Sequence, residues 1–236
     1  MLSKIEYEEI IKLIKHQVVP AIGCTEPMAV ALCVAKARQI LGVLPEKIEV
    51  KLSANILKNA MGVGIPGTGM IGLPIAIALG GLIGRPEEEL EVLIDCNKKA
   101  VEKGKLYIAE NRIDIKLEEN NPDKLYINVI CHADGHEAEA IIKGAHTNFV
   151  LLRKDDKILL NNKSHDKETE NEDEVSLTLH KVYEFATTAD IEDIDFILEA
   201  KRLNEAAADN GLHENYGHQL GKTMCSPLGK GIMGNS

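Results

Sequence analysis

The 236-residue chain has no tryptophan, and aromatic residues make up only 3% of it. A core of this size must therefore be built from Ile, Leu, Val and Ala. Nor do the five cysteines (Cys24, Cys33, Cys96, Cys131 and Cys225) form a Cys-x-x-Cys pair. Their odd number and wide spacing argue against a disulfide scaffold and for a reducing cytoplasm. The N-terminus, Met-Leu-Ser-Lys-Ile-Glu, lacks the apolar stretch of a signal peptide. Basic residues are in deficit, and the formal net charge is −10. Such a chain repels phosphate backbones, which disfavours nucleic acid as a partner. One long run, 60–84, carries no charge, but its eight glycines and two prolines would break a spanning helix. A buried loop followed by a short core helix is expected there, with no membrane contact.

Hydrophobic spacing predicts an α+β fold. Helical periods cover 4–17 and 27–41, and Ile48, Val50 and Leu52 alternate with Glu49 and Lys51 as in a half-buried strand. The segment 86–103 opens on Pro-Glu-Glu-Glu and closes on lysines, the charge order of one helix. Strands are expected at 113–117 and 125–131, with a turn at 120–123 between them. Asp134-Gly135 reads as a hairpin turn, and 137–152 as one long strand bulged near Gly144. Tight turns between strands imply a mostly antiparallel sheet packed against helices. The expected organisation is an α+β domain over 1–160, an acidic loop over 161–174, and a helical region over 175–236 that looks incomplete. In the last region Ile191, Ile194, Ile197 and Leu198 share one helical face, and Asn210-Gly211 closes that helix.

Chemistry concentrates in a few places. Gly23-Cys24-Thr25-Glu26-Pro27 precedes an apolar run, and Pro27 suits a first helical turn. Thr25 or Glu26 would then cap the helix and leave Cys24 just outside its N-terminus, where the dipole eases thiol ionisation. Glu26 opposes that ionisation, so a reactive cysteine and a structural one beside a cap both remain open. The run 61–72 contains Gly-x-Gly-x-x-Gly twice, but no strand directly precedes it. It can present N–H groups to a small anion such as a carboxylate, or pack closely against a helix. Lys58 could pair with a substrate carboxylate that Asn59 helps to orient, and His146, Thr147 and Asn148 could line a pocket or a wet strand edge. His132 and His136 flank the hairpin turn, where two histidines can approach each other, but no third metal ligand stands nearby. His213 and His218 lie in the tail, and no metal ligand is assigned.

Three segments together, 19–27 (Val-Pro-Ala-Ile-Gly-Cys-Thr-Glu-Pro), 53–60 (Ser-Ala-Asn-Ile-Leu-Lys-Asn-Ala) with Val63-Gly-Ile-Pro66, and 144–148 (Gly-Ala-His-Thr-Asn), resemble the L-cysteine desulfidase family. That family is related to the α part of the iron–sulfur L-serine dehydratases, and the resemblance runs along essentially the whole chain. It implies α,β-elimination from L-cysteine or L-serine, giving pyruvate, ammonia and sulfide or water. It also implies a [4Fe-4S] cluster in place of pyridoxal phosphate, and Cys24 as the base that removes the α-proton. Cluster-ligating cysteines in that family lie in a C-terminal part with no counterpart here. The chain thus looks like the N-terminal portion of such a lyase, whether a truncated gene product or one half of a split enzyme. Its expected partners are the amino-acid substrate, a C-terminal half or second subunit, and a second copy in a homodimer. The alternative is a non-catalytic amino-acid-binding or scaffold remnant.

Overall fold

The computed structural model describes residues 2–21, 23–119, 122–162, 176–215 and 219–226. It is α+β, and its residues divide into two compact units, 20–172 and 1–19 with 173–236.

The larger unit is built on a six-stranded mixed sheet in the order β4-β1-β5-β6-β7-β8. These strands are β1 (Lys47–Leu52), β4 (Ile113–Leu117), β5 (Tyr126–Ala133), β6 (His136–Lys143), β7 (Phe149–Lys154) and β8 (Lys157–Asn161). Only β1 and β4 run parallel; every other neighbouring pair is antiparallel. Helices α2 (Thr25–Leu41), α3 (Ala54–Ala60), α4 (Leu73–Ile83) and α5 (Lys98–Ala109) belong to the same unit. Strand alternation decides what they cover: Ile48, Val50, Leu52, Ile127, Val129 and Cys131 are all buried in one core with residues of α2 and α4. On the other face of the sheet, Glu139 accepts from both Asn128 and Arg153, each at 3.0 Å.

Helix α2 is buried without interruption from Pro27 to Ala35, which only a central helix can be. The uncharged run resolves into a loop and the expected short core helix, but the loop is largely exposed rather than buried, with Met61 and Ile71 facing solvent. The loop is a small ribbon, β2 (Gly64–Ile65) paired with β3 (Met70–Ile71), and the helix is α4, eleven residues long. Helices α2 and α4 touch backbone to backbone at Gly80, where a Cβ would lie 2.6 Å from the Ala31 carbonyl oxygen. Among the described residues no helix is long and apolar enough to cross a membrane.

Several local expectations are corrected. The segment 86–103 is not one helix: a 3-10 turn spans Pro86–Glu91 with Glu89 at φ 46°, and α5 starts afresh after Asn97, whose side chain accepts from the Ala100 N–H. A fresh side-chain cap outweighs the favourable charge order. The long strand over 137–152 is two strands, because Gly144 at φ 81° turns the chain and only Phe149 resumes pairing. The glycine run follows helix α3 and not a strand, in line with the sequence reading, so it lacks the strand-to-helix setting of a dinucleotide-binding turn.

The smaller unit holds α1 (Lys4–Gln17), α6 (Leu179–Thr188), α7 (Ile191–Ile194), α8 (Ile197–His213) and α9 (Leu220–Cys225). Ser3 and Glu6 close a capping box on α1. Tyr7 of α1 stacks on Phe185 of α6 with ring centroids 5.2 Å apart and donates its hydroxyl to Asp193 at 3.0 Å. That packing places α1 with the C-terminal helices, where the sequence suggested the sheet domain. The face shared by Ile191 to Leu198 is broken between α7 and α8, and Asn210-Gly211 lies inside α8, which runs on to His213. Residues 163–174 of the acidic loop and His218 lie outside the described residues, as do the first two residues of the 120–123 turn.

Candidate functional site

The helix carrying the Cys24 motif begins earlier than Pro27 suggests. Cys24 is itself the capping residue, in extended geometry (φ −62°, ψ 130°), and Thr25 is the first helical residue. Pro27 then occupies the third helical position, where an N–H would still lack an intrahelical partner. Cys24 is half-buried, and its thiol donates to Glu26 Oε2 at 3.0 Å. The Thr25 hydroxyl donates to the same oxygen at 3.3 Å, and the Asn59 amide donates to Glu26 Oε1 at 3.2 Å. One carboxylate thus gathers a thiol, a hydroxyl and an amide from two helices.

The electrostatics correct the expected acidity. Burial, and the bond to the Glu26 carboxylate, push the Cys24 thiol up from its ordinary range. The same bond to Cys24, helped by backbone and Asn59 donors, holds the Glu26 carboxyl below its ordinary value. The helix terminus therefore stabilises its negative charge on Glu26, and the sulfur keeps its proton.

The other predicted residues stand at the same end of the sheet, as strand register and helix direction show. Lys154, opposite Ala138, donates to the carbonyl of Leu41 at the C-terminus of α2. Further along β6, the Cys33 thiol donates to the Ala140 carbonyl at 3.2 Å. Helix α2 thus runs back along β6 so that Thr25 lies toward Lys143. At that end Gly144 N–H donates to the Leu125 carbonyl, and Ser53 N–H to the Tyr126 carbonyl. The turn holding His146, Thr147 and Asn148 is therefore beside the start of α3, which carries Lys58 and Asn59. His146 and Thr147 are half-buried and Lys58 is exposed. Asn148 spends its amide on the Lys143 carbonyl at 2.9 Å, which shapes the turn. Asn59 is engaged with Glu26.

The glycine ribbon closes over this end. A Cβ at Gly23 would lie 2.7 Å from Pro66 Cγ, so only glycine lets the ribbon pack against the residue before Cys24. Thr68 fastens the ribbon's turn, donating to the Ile65 carbonyl at 2.6 Å and accepting from the Met70 N–H at 2.9 Å. A Cβ on the preceding residue of that turn, Gly67, would lie 3.7 Å from the Cys96 sulfur. Cys96 is thereby a second thiol close to the loop, which nothing in its sequence surroundings signalled. The role of Glu26 as the hub was also missed; its spacing from Cys24 was the available signal.

The hairpin histidines do not meet. His132 is registered against Glu137, and His136 against Ala133, so they point to opposite faces of the ribbon. His136 pairs with Asp155 at 3.0 Å. Two surface depressions lie away from Cys24: one at this hairpin, lined by His132, Glu137 and Arg153, and one between Arg38 and Asp95. Neither is lined by a cysteine.

A [4Fe-4S] cluster needs about three cysteine ligands brought together. Cys33 and Cys131 are sealed in the core, where burial keeps both thiols protonated, Cys131 up to about 12. Cys24 bonds to Glu26, and Cys225 belongs to the other unit. Among the described residues no group of three or more His, Cys, Asp or Glu side chains could hold a metal. The described cysteines therefore do not fit a cluster.

Fold and site together define an α+β domain that presents a thiol–carboxylate pair at the N-terminus of its central helix. Its close relatives are UPF0597 proteins. It is 58% identical over 231 residues to one from Bacteroides thetaiotaomicron, a match covering 98% of this chain and 54% of the relative. A relative from Bacteroides fragilis is 57% identical over 235 residues, with 100% and 55% covered. One from Aeromonas hydrophila is 39% identical over 233 residues, with 98% and 53% covered. The chain thus spans about half the length of the curated relatives it matches. No family model matches it, and no solved structure does.

Proposed function

We propose that this chain is the proton-accepting part of a cytoplasmic amino-acid lyase of the L-cysteine desulfidase or L-serine dehydratase type. The reaction is α,β-elimination, giving pyruvate, ammonia and sulfide or water. The observation that carries the reading is the Cys24–Glu26 pair at 3.0 Å at a helix N-terminus, with Asn59 bonded to the same carboxylate. Cys24 takes the substrate α-proton. Lys58 supplies the positive charge for the substrate carboxylate, and His146 and Thr147 contact the substrate. Asn59 and Asn148 fix the geometry of Glu26 and of the turn. Any cluster in this protein draws its ligands from outside the described residues, which agrees with a chain covering about half of its relatives.

The test is pyruvate formation from L-cysteine and L-serine under anaerobic conditions, in a full-length UPF0597 protein containing this sequence. Cys24→Ala is expected to lower turnover by roughly 10²–10⁴-fold, the usual contribution of a general base. Retained turnover would remove Cys24 from the chemistry. The scattered cysteines favour one competing reading, a non-catalytic amino-acid-binding remnant. Anaerobic iron and sulfide analysis separates the two, because a full-length protein without a cluster that still binds amino acid is the remnant.

A further inference from the structure

Two groups at the site are in an unusual partnership. The thiol that must act as a base holds its proton, and a carboxylate lies within one hydrogen bond of it. Glu26 Oε2 accepts from both Cys24 and Thr25, while Oε1 accepts from Asn59. Those three donors fix the carboxylate with one oxygen facing the sulfur.

We propose that Glu26 is the proton relay of the site, taking the proton of Cys24 and delivering it to the leaving group. The proposal rests on the lyase reading above and gives its proton a path. The S–H bond of Cys24 breaks and its proton passes to Glu26 Oε2. The sulfur lone pair then forms a new S–H bond with the substrate α-proton, and the C–H electron pair stays on the substrate. As the β-substituent leaves with its bonding pair, it collects the proton from Glu26. The carboxylate and the thiol are both restored, and hydrosulfide or hydroxide departs as hydrogen sulfide or water. Asn59 holds the carboxylate in line throughout.

The test compares the wild-type chain with Glu26→Gln, following iodoacetamide alkylation of the Cys24 peptide by mass spectrometry from pH 6 to 10. An amide in place of the carboxylate can donate to the sulfur, so Cys24 should alkylate about tenfold faster at pH 7, a shift of one pKa unit. Asn59→Ala, which leaves both reacting groups in place, should give a smaller acceleration. An unchanged pH profile in Glu26→Gln would overturn the proposal. In the full-length protein, Glu26→Gln should lose pyruvate formation although its thiolate is more abundant, and Glu26→Asp should recover part of it. A Glu26→Gln protein that alkylates faster and also turns over at the wild-type rate would overturn the relay. If the wild type makes no pyruvate while the alkylation shift appears, the lyase reading fails and the thiol–carboxylate coupling stands.

Discussion

Replacing Gly80 with alanine tests how the central helix is held. The added methyl would sit 2.6 Å from the Ala31 carbonyl oxygen, 3.1 Å from its Cα and 3.2 Å from its carbonyl carbon. All three are backbone atoms of α2, so no side chain can rotate away. Restoring an ordinary separation of about 3.5 Å moves the helices apart by close to 1 Å, along an interface between fully buried elements. Overpacking of this kind costs about 1–3 kcal/mol, and the backbone contact argues for the upper half. Alanine's better helix propensity returns about 1 kcal/mol. The net loss of about 1–2 kcal/mol should lower the Tm by roughly 2–8 °C in a chain of this size. Gly104→Ala is the matched control, because its methyl would meet Ile75 Cδ1 at 2.8 Å, the tip of a flexible side chain. There the propensity gain should prevail and leave the Tm equal or higher. Differential scanning calorimetry of both variants settles the comparison. Equal effects from the two substitutions, or a Tm for Gly80→Ala at or above wild type, would refute the argument.

Further outcomes follow from single contacts. Tyr107→Phe removes the 2.6 Å bond from the buried hydroxyl to the Pro45 carbonyl and should cost about 1–2 kcal/mol in urea unfolding, without changing Cys24 alkylation. Ser53→Ala leaves the Lys124 carbonyl without its 2.8 Å donor where β1 passes into α3. A loss of about 1–2 kcal/mol is expected, with faster hydrogen exchange at the Tyr126 amide, which also donates to Ser53 Oγ. Alkaline pH should weaken the fold through its thiols. Cys131 is raised from an ordinary value of 9.0 to about 12, so the folded state holds this proton more tightly. Its stabilisation is complete below pH 9 and is lost as pH rises toward 12. Cys131→Ala should lower the neutral-pH Tm while flattening the alkaline slope, and an unchanged slope would count against this assignment. Glu26 runs the other way. Its carboxyl is held below 4.5, so its stabilisation is present above that pH and fades as pH falls through the folded value. Glu26→Gln should flatten the acid limb of a Tm–pH profile.

Much of the sheet was legible because its strands alternate. Ile48, Val50 and Leu52 on β1, and Ile127, Val129 and Cys131 on β5, read directly as one buried face. The parallel pairing of β1 with β4 was not legible, since short-range spacing says nothing about which distant strand becomes the neighbour. Gly144 looked like a bulge because a single glycine cannot reveal whether the chain resumes in line or reverses. At Pro86–Glu91 the charge pattern favoured helix, but Asn97 supplied a competing cap that restarted it. At Cys24 the sequence offered two opposed influences, a helix dipole that eases ionisation and Glu26 that resists it, and in the structure burial and Glu26 prevail. A helix N-terminus stabilises negative charge in general, and here its donors favour the charged form of Glu26, two residues away, which Asn59 from another helix also bonds. That long-range bond has no signature in local sequence.

The most direct measurement is α-proton exchange followed by ¹H NMR, with the full-length UPF0597 protein incubated anaerobically with L-cysteine or L-serine in D₂O. Loss of the substrate α-proton signal, or deuterium in the enzyme-formed pyruvate, should occur with the wild type and be absent with a folded Cys24→Ala variant. Equal α-proton loss in both proteins, or none in either, would contradict the account.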